Sequence, residues 1–378
     1  MTKPKIAIGW ILASKLTDAT LAERYDEAAE RLLDYLQAQF PSFDWQLEKI
    51  ERRAFPAAGL LKPLPLLELG AEEKLHHQWD FCLVVVPNDL EPRQRISTLG
   101  IPSSALEVAV LSSARLGPHD ALPERLAALA LHLLGHLFTL EYAEEGPMRP
   151  PNEVERLTLK PFPKEQAETA QDALQDVADA RLEETGTRWN VVTFYFRAFF
   201  SDPSSILRSI WGYAPWKIPL YLGRLTATVI VSLLFLLLTA ESWEAGTNLK
   251  LVWLMAGSGV AIVASSLFIF YGQNLEQLGH GPGRGWSEQL ARSRIVLFGT
   301  LFVGMVSLWF VLFMLLWIAS YALPLGVVAG WSGFEPTDLP RTNYVMFMAS
   351  IGILAAALGG NLEEEGEIKA ALFFDEEV

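Results

Sequence analysis

Cysteine is nearly absent from this chain, and basic residues are fewer than acidic ones. A single cysteine, Cys82, occurs among 378 residues, which excludes an internal disulfide and a cysteine-based zinc finger. The 30 Lys and Arg residues face 44 Asp and Glu residues, and the formal net charge is −14. Proteins bind nucleic acid through a concentrated basic surface. We therefore expect no nucleic-acid partner.

Charge is also missing from long apolar runs in the second half of the chain. Hydrophobic residues make up 51% of the sequence, and the mean hydropathy of +0.23 is high for a soluble protein. A helix needs about 20 residues to cross a bilayer. Four apolar runs can be compared with this length: 220–240 and 251–271 match it, 295–323 is longer, and 344–360 is shorter but plausible. The last three contain no Asp, Glu, Lys, Arg or His, which argues against a pump or secondary transporter. We predict a four-helix, all-α transmembrane domain over 216–360.

The basic residues flanking these runs are unevenly distributed. Several precede the first run or lie between the second and third, whereas the first and third connecting loops hold only Lys250 and Arg341. The positive-inside rule then places both termini in the cytoplasm. We expect an integral protein of the cell or inner membrane, with the lipid bilayer as a partner. Residues predicted at the membrane interface are Arg208, Trp211, Trp216, Lys217, Arg224, Arg284 and Trp286.

Small residues recur every four positions in the second and fourth predicted spans. They are Gly257, Ala261 and Ser265, followed by Gly352, Ala356 and Gly360. This spacing lets helices approach closely. It predicts a packed seam within one bundle or between two copies of the chain, so a homo-oligomer is one expected arrangement. A ligand pocket at the seam is the alternative.

Strand-like and helix-like patterns alternate through the first 150 residues, as is typical of an α/β domain. The pattern predicts strands at 5–12, 45–52, 81–86 and 106–112, and helices at 21–39, 66–77 and 122–142. We predict a cytoplasmic α/β domain over 1–150. An amphipathic connector and interfacial segment over 151–215 and an acidic cytoplasmic tail over 361–378 complete the expected organisation.

The predicted helix 122–142 carries a pair of histidines, His132 and His136, in a strongly apolar stretch. Side chains four positions apart share a helix face, and two imidazoles on one face can bind one zinc ion. The alternative is a pair buried in a core, where each ring needs a partner for its N–H group. Spacing alone does not separate these two interpretations.

The order of motifs around this pair resembles that of the archaemetzincin branch of zinc metallopeptidases. It runs from strand 81–86 and Pro-Asn-Asp-Leu, through a second strand and Ser-Ala-Arg-Leu at 113–116, to His-x-x-Gly-His at 132–136. The resemblance covers residues 78–150. It implies a metzincin-like α/β fold, a mixed sheet with a long helix of the active-site type. It also places His132 and His136 at the first two zinc-ligand positions.

Several positions depart from the family pattern His-Glu-x-x-His-x-x-Gly-x-x-His. Leu133 occupies the position of the glutamate that acts as general base, Thr139 that of the glycine at which the helix turns, and Tyr142 that of the third histidine. The family's cysteines are absent, and Met148 lies two residues short of the expected methionine. Peptide hydrolysis needs a carboxylate to accept and return a proton. An active peptidase is therefore not expected.

Metal binding by the pair depends on a third ligand. The candidates are Tyr142, Glu141, Glu153 and Glu155. We expect no cofactor, with zinc as the alternative.

The favoured hypothesis is a membrane-anchored, non-catalytic pseudo-metallopeptidase that binds a polypeptide or protein partner or serves as a scaffold. One alternative is an active membrane-tethered zinc peptidase with a non-standard base and third ligand. A further alternative is a channel or transporter subunit with a regulatory domain. The zinc content of the protein separates the first two hypotheses.

Overall fold

The computed structural model describes most of the chain, in two compact units. The described residues are 3–183 and 223–361, with gaps at 15, 17, 57, 93–94, 152, 274, 276–287 and 336–337, and also 207, 210–211, 215–217, 369, 373–374 and 377–378. The first unit comprises Met1–Ser201, Leu278–Ser293 and Phe373–Val378, and the second Asp202–Gln277 and Arg294–Leu372. The end of the predicted acidic tail therefore belongs with the first unit. The predicted domain limits stay predictions.

The first unit is built on a five-stranded mixed sheet with the strand order β2-β1-β3-β5-β4. Its strands are β1 (Lys5–Ser14), β2 (Asp44–Phe55), β3 (Phe81–Val86), β4 (Gly100–Ser103) and β5 (Val108–Ser112). Strand β4 is antiparallel to β5, and the other pairs are parallel. The predicted α/β character is confirmed, and β4 forms one edge of the sheet.

Helices cover both faces of this sheet, which explains why β3 is apolar throughout. The helices are α1 (Ala19–Gln39), α2 (Pro63–His77), α3 (Leu122–Leu137) and α4 (Lys164–Glu183). Helices α1, α3 and α4 share one hydrophobic core with Phe81, Leu83 and Val85. Helix α2 packs on the opposite face, where Gly70 lies against Val84 and the fully buried Cys82.

Several boundaries in this unit differ from the predictions, two of them for clear local reasons. Helix α1 begins at Ala19, two residues early, because Asp18 caps it by accepting the Thr20 N–H at 2.9 Å. Strand β5 begins at Val108 rather than at 106, since Glu107 adopts a positive φ of 54° just before it. Strand β4 was not predicted at all.

The second unit is helical among the residues that the structure describes. Its helices are α5 (Gly223–Leu237), α6 (Ala240–Asn248), α7 (Leu251–Gly272), α8 (Glu288–Ser320, whose first turn belongs to the first unit), α9 (Leu325–Ser332) and α10 (Arg341–Asn361). Three segments, Leu251–Gly272, Arg294–Ser320 and Arg341–Gly359, are long and apolar enough to cross a membrane. The predicted first span is broken, because α5 and α6 are bent by 86°. A count of four holds only if this bent pair is one span.

Small and hydroxylated side chains line the contact between α7 and α10. The Ser258 and Ser350 hydroxyls are 2.7 Å apart, and Ser265 Oγ donates to the Ile353 carbonyl at 3.2 Å. The predicted seam residue Ala261 is buried with them. Gly257 does not take part in this contact, because it faces outward with no atom within 4 Å of an added Cβ; its place in a seam between two copies stays a prediction. Ser258 takes its place, one position further along the helix.

The seam prediction for α10 is confirmed in part. Gly352 lies against Leu233 and Leu312, and Ala356 is fully buried. The packing around Gly360 lies outside the described part of the structure. The predicted homo-oligomer stays a prediction.

Only part of the predicted membrane interface falls on described residues. Trp211 and Trp216 are exposed, and their ring centroids are 5.4 Å apart. Arg208, Arg284, Trp286 and the side chains of Lys217 and Arg224 lie outside the described residues. The role of these residues at a membrane surface stays a prediction.

Candidate functional site

Helix α3 carries the histidine pair and ends at Leu137, five residues before the predicted end at 142. Thr139 adopts a left-handed conformation with φ 63°. Its N–H donates to the His136 carbonyl at 2.9 Å, and the Leu140 N–H donates to the Gly135 carbonyl at 3.0 Å. These two bonds form a Schellman motif, which terminates the helix. Tyr142 therefore lies in the segment after the helix.

His132 is buried and His136 is half-buried, and hydrogen bonds link the two imidazoles. His132 Nδ1 lies 2.7 Å from the Pro147 carbonyl, which can only accept, so Nδ1 carries the proton. The unprotonated Nε2 of His132 then faces His136 Nε2 at 3.2 Å and accepts its N–H. The result is a chain of hydrogen bonds from His136 through His132 to Pro147.

Burial keeps both rings neutral at physiological pH. Desolvation lowers the pKa of His132, against the opposing effect of its bond to Pro147. Desolvation, together with repulsion from His132, lowers the pKa of His136 to about 3. Neutral imidazoles keep a lone pair for hydrogen bonding or for a metal.

A loop packs directly beneath the pair. The Ala143 N–H donates to the Met148 carbonyl at 3.0 Å, and Met148 is fully buried. A Cβ atom added to Gly135 would lie 2.2 Å from Met148 Sδ. Glycine between the two histidines is thus what lets the methionine lie against the helix. Both residues stand out in the sequence, but no pattern there pairs them.

The third predicted site residue, Tyr142, lies beside both histidines. Its ring centroid is 5.8 Å from that of His132 and 5.0 Å from that of His136. The structure therefore brings the three predicted residues into one cluster.

The donor set fits a zinc ion only in part. The two Nε2 atoms, 3.2 Å apart, are close to the separation of about 3.3 Å expected for two nitrogens of a tetrahedral zinc site. Within the described ranges, however, no group of three His, Cys, Asp or Glu residues could hold a metal. Glu141, Glu153 and Glu155 thus do not complete a site with the pair. Zinc sites take at least three protein ligands, so we derive no reaction step through a metal.

Position 133, where the resemblance implies a general base, is part of the hydrophobic core. Leu133 is 0% exposed. A Cβ atom added to Gly100 of β4 would lie 2.6 Å from Leu133 Cδ1. The side chain next to His132 therefore fills space beneath the edge of the sheet and has no proton to exchange.

The comparisons with known proteins find remote structural similarity alone. No family model and no curated protein matches the chain. The chain is similar to the structure of a zinc-dependent peptidase from Methanocorpusculum labreanum, with 18% identity over 43% of this chain and 99% of that one and a TM-score of 0.34. It is also similar to archaemetzincin from Methanopyrus kandleri, with 17% identity over 46% of this chain and 97% of that one and a TM-score of 0.34. A third similar structure is archaemetzincin from Archaeoglobus fulgidus complexed with malonate, with 18% identity, 43% and 99% coverage and a TM-score of 0.31. TM-scores this low do not establish a shared fold.

Proposed function

We propose that this protein is a membrane-anchored pseudo-metallopeptidase, whose first unit binds a polypeptide or protein partner without cleaving it. The observation that carries the proposal is the state of the histidine helix. Its two imidazoles bond to each other and to Pro147, while Leu133 is buried in the core.

Leucine at position 133, where the resemblance implies a general base, argues against hydrolysis. Water attack on a peptide needs a group that takes a proton and returns it to the leaving amine. Leucine at 133 cannot do this, and no acidic residue joins the histidines in a metal-binding group among the described residues. The neutral histidine pair contributes instead to structure, because it satisfies buried polar groups and ties α3 to the loop at 143–148.

The apolar helices of the second unit support the membrane part of the proposal. Three of them have the length and hydropathy of membrane spans. We place the first unit on the cytoplasmic side, from the distribution of Lys and Arg around the spans.

One observation favours a second candidate, a zinc-binding protein. The 3.2 Å separation of the Nε2 atoms suits a shared ion, and Tyr142 is close enough to join the pair after a small rearrangement. In this case His132 and His136 would hold the ion and Tyr142 would supply the third ligand.

Metal analysis of the full-length protein in detergent tests the proposal. We expect no stoichiometric zinc and no change in thermal stability when a chelator is added. His136→Ala should destabilise the protein by a few kcal/mol through a cavity and lost hydrogen bonds. His119→Ala, at an exposed histidine, is the control and should have little effect. About one equivalent of zinc that is lost in His136→Ala would favour the second candidate.

Peptidase assays test the non-catalytic part. Wild type should cleave no peptide library, and the reverting change Leu133→Glu should gain little, because Thr139 and Tyr142 also depart from the catalytic pattern. Chelator-sensitive cleavage by wild type that disappears in His136→Ala would overturn the proposal.

A further inference from the structure

The edge of β4 is occupied by the last two residues of the chain. The Val378 N–H donates to the Gly100 carbonyl at 2.9 Å. In return, the Leu99 and Gly100 N–H groups donate to the backbone oxygen of Val378 at 2.6 and 3.3 Å. The outer side of an edge strand has backbone N–H and C=O groups that can pair with another extended chain. In this protein residues 377–378 form that pairing.

Both side chains of this segment are also held. Val378 is 3% exposed and belongs to the main hydrophobic core of the first unit. Glu377 is 6% exposed, and its carboxylate accepts the Arg95 N–H at 3.1 Å and the Thr98 hydroxyl at 3.4 Å. The edge therefore provides an apolar position for one residue and hydrogen-bond donors for an acidic residue before it.

This edge lies beside the histidine helix. Gly100 contacts Leu133, the neighbour of His132 in sequence. Just beyond the other end of β4, the Ser104 hydroxyl lies 3.4 Å from the His136 carbonyl and donates to it. A peptide paired with β4 would therefore run along the strand that packs on the candidate site.

We propose that the β4 edge is a peptide-binding site for an extended acidic partner segment with an aliphatic residue after a glutamate, and that Glu377–Val378 occupies it in cis. Main-chain bonds to an edge strand supply affinity, and side-chain positions supply specificity. The attached segment acts at an effective concentration near the millimolar range. A partner peptide therefore binds only when the segment leaves. The inference deepens the proposed function and rests on it, because it assumes that the first unit binds polypeptide.

The test uses the full-length protein in detergent and a fluorescent synthetic peptide with the sequence of residues 369–378. Val378→Asp places a charge in the apolar position and should release the attached segment. We expect this variant to bind the peptide about ten-fold or more tightly than wild type does, because its edge is free. The same peptide with aspartate in place of its valine is the matched control and should not bind.

Hydrogen exchange gives a second measurement at the edge itself. The Leu99 and Gly100 amides should be protected in wild type, exchange faster in Val378→Asp, and regain protection when the peptide is added. Glu377→Lys removes the acceptor for Arg95 and Thr98 and should also release the segment. This variant replaces Val378→Asp in the test if Val378→Asp does not fold.

Three outcomes would overturn the inference. They are equal exchange in wild type and both variants, no peptide binding by a variant whose segment is released, and protection in wild type that depends on protein concentration, which would indicate exchange of the segment between copies. If the peptide does not bind but wild type lacks zinc and peptidase activity, the edge site fails and the non-catalytic assignment stands. Cleavage of the peptide would instead contradict the proposed function.

Discussion

Thr139 has a backbone conformation that is unfavourable for its side chain. Its φ of 63° is left-handed, a region in which β-branched residues are strained and glycine is not. The Schellman motif at the end of α3 nevertheless requires this conformation, since both capping bonds depend on it. The residue is exposed, so the side chain gains little packing in return.

Thr139→Gly should therefore raise the free energy of unfolding by about 1 kcal/mol. Thr139→Ala keeps the Cβ atom and should gain clearly less. Thermal or denaturant unfolding of the full chain in detergent measures both. Equal effects of alanine and glycine would show that the left-handed conformation is not the source of the strain.

The buried histidines predict a dependence of stability on pH. Burial lowers the pKa of His132, and that of His136 to about 3, whereas both titrate near 6.5 in an unfolded chain. The unfolded state then binds more protons below pH 6.5, so this contribution to stability is complete above that pH and is lost as the pH falls toward 3.

At pH 5 the loss from His136 alone should be about 2 kcal/mol in the metal-free protein. The measurement is the unfolding free energy at several pH values in wild type and in His136→Gln, which lacks the titrating ring. The wild-type curve should be steeper between pH 6.5 and 5. Parallel curves would contradict the assignment of neutral, desolvated rings.

At the scale of elements, α3 and the loop beneath it fit together through Gly135 and Met148. Gly135→Ala places a Cβ atom 2.2 Å from Met148 Sδ in the present arrangement, so it should destabilise the first unit by about 1–3 kcal/mol. Met148→Ala should also destabilise, through a cavity. The double variant should lose less than the sum, because the smaller side chain makes room for the new methyl group. Strictly additive losses would exclude this contact as the cause.

Local pattern was sufficient to predict those elements whose signal lies within their own sequence. Strand β3 is a continuous apolar run, and α1 has a regular apolar face, so both were predicted. Strand β4 is four residues long and includes Gly100 and Pro102. It exists as a strand because of its partner β5 and of Val378, and these pairings are not visible in its own residues.

Some features of the candidate site were likewise predicted from the sequence, and others were not. The spacing of His132 and His136 predicted a shared helix face, and the resemblance predicted that Tyr142 would lie near them; the three rings do lie together. The end of α3 was missed because Thr139 takes a conformation that favours glycine. The bond to Pro147 was missed because it joins a helix to a loop 15 residues away.

For the whole molecule, the pairing of Val378 with Gly100 constrains the membrane topology. Both belong to the first unit, so in the proposed membrane-anchored protein the chain between the two crosses the membrane an even number of times. Among the residues that the structure describes, three helices qualify as spans by themselves, and the bent pair α5 and α6 is the remaining candidate. An even number of crossings favours a model in which the bent pair forms the fourth one.

Cysteine labelling of intact cells with an impermeant reagent checks this topology. Asn248→Cys, at the end of α6, should react from outside, whereas Lys62→Cys in the first unit should react only after permeabilisation. Both positions are exposed, so access depends on the side of the membrane. A protected Asn248→Cys together with an accessible Lys62→Cys would reverse the orientation, and two protected sites would indicate a bent pair that does not cross.

Because Cys82 is completely buried, its thiol is a built-in probe of how often the first unit opens. Its thiol is the only one in the chain and is buried on β3. Burial also raises the pKa of this thiol above that of a free cysteine, so the unreactive thiol form dominates. A membrane-permeant reagent can modify it only when the sheet separates. The modification rate in native membranes would then report how often the first unit opens, without extraction into detergent or an added label.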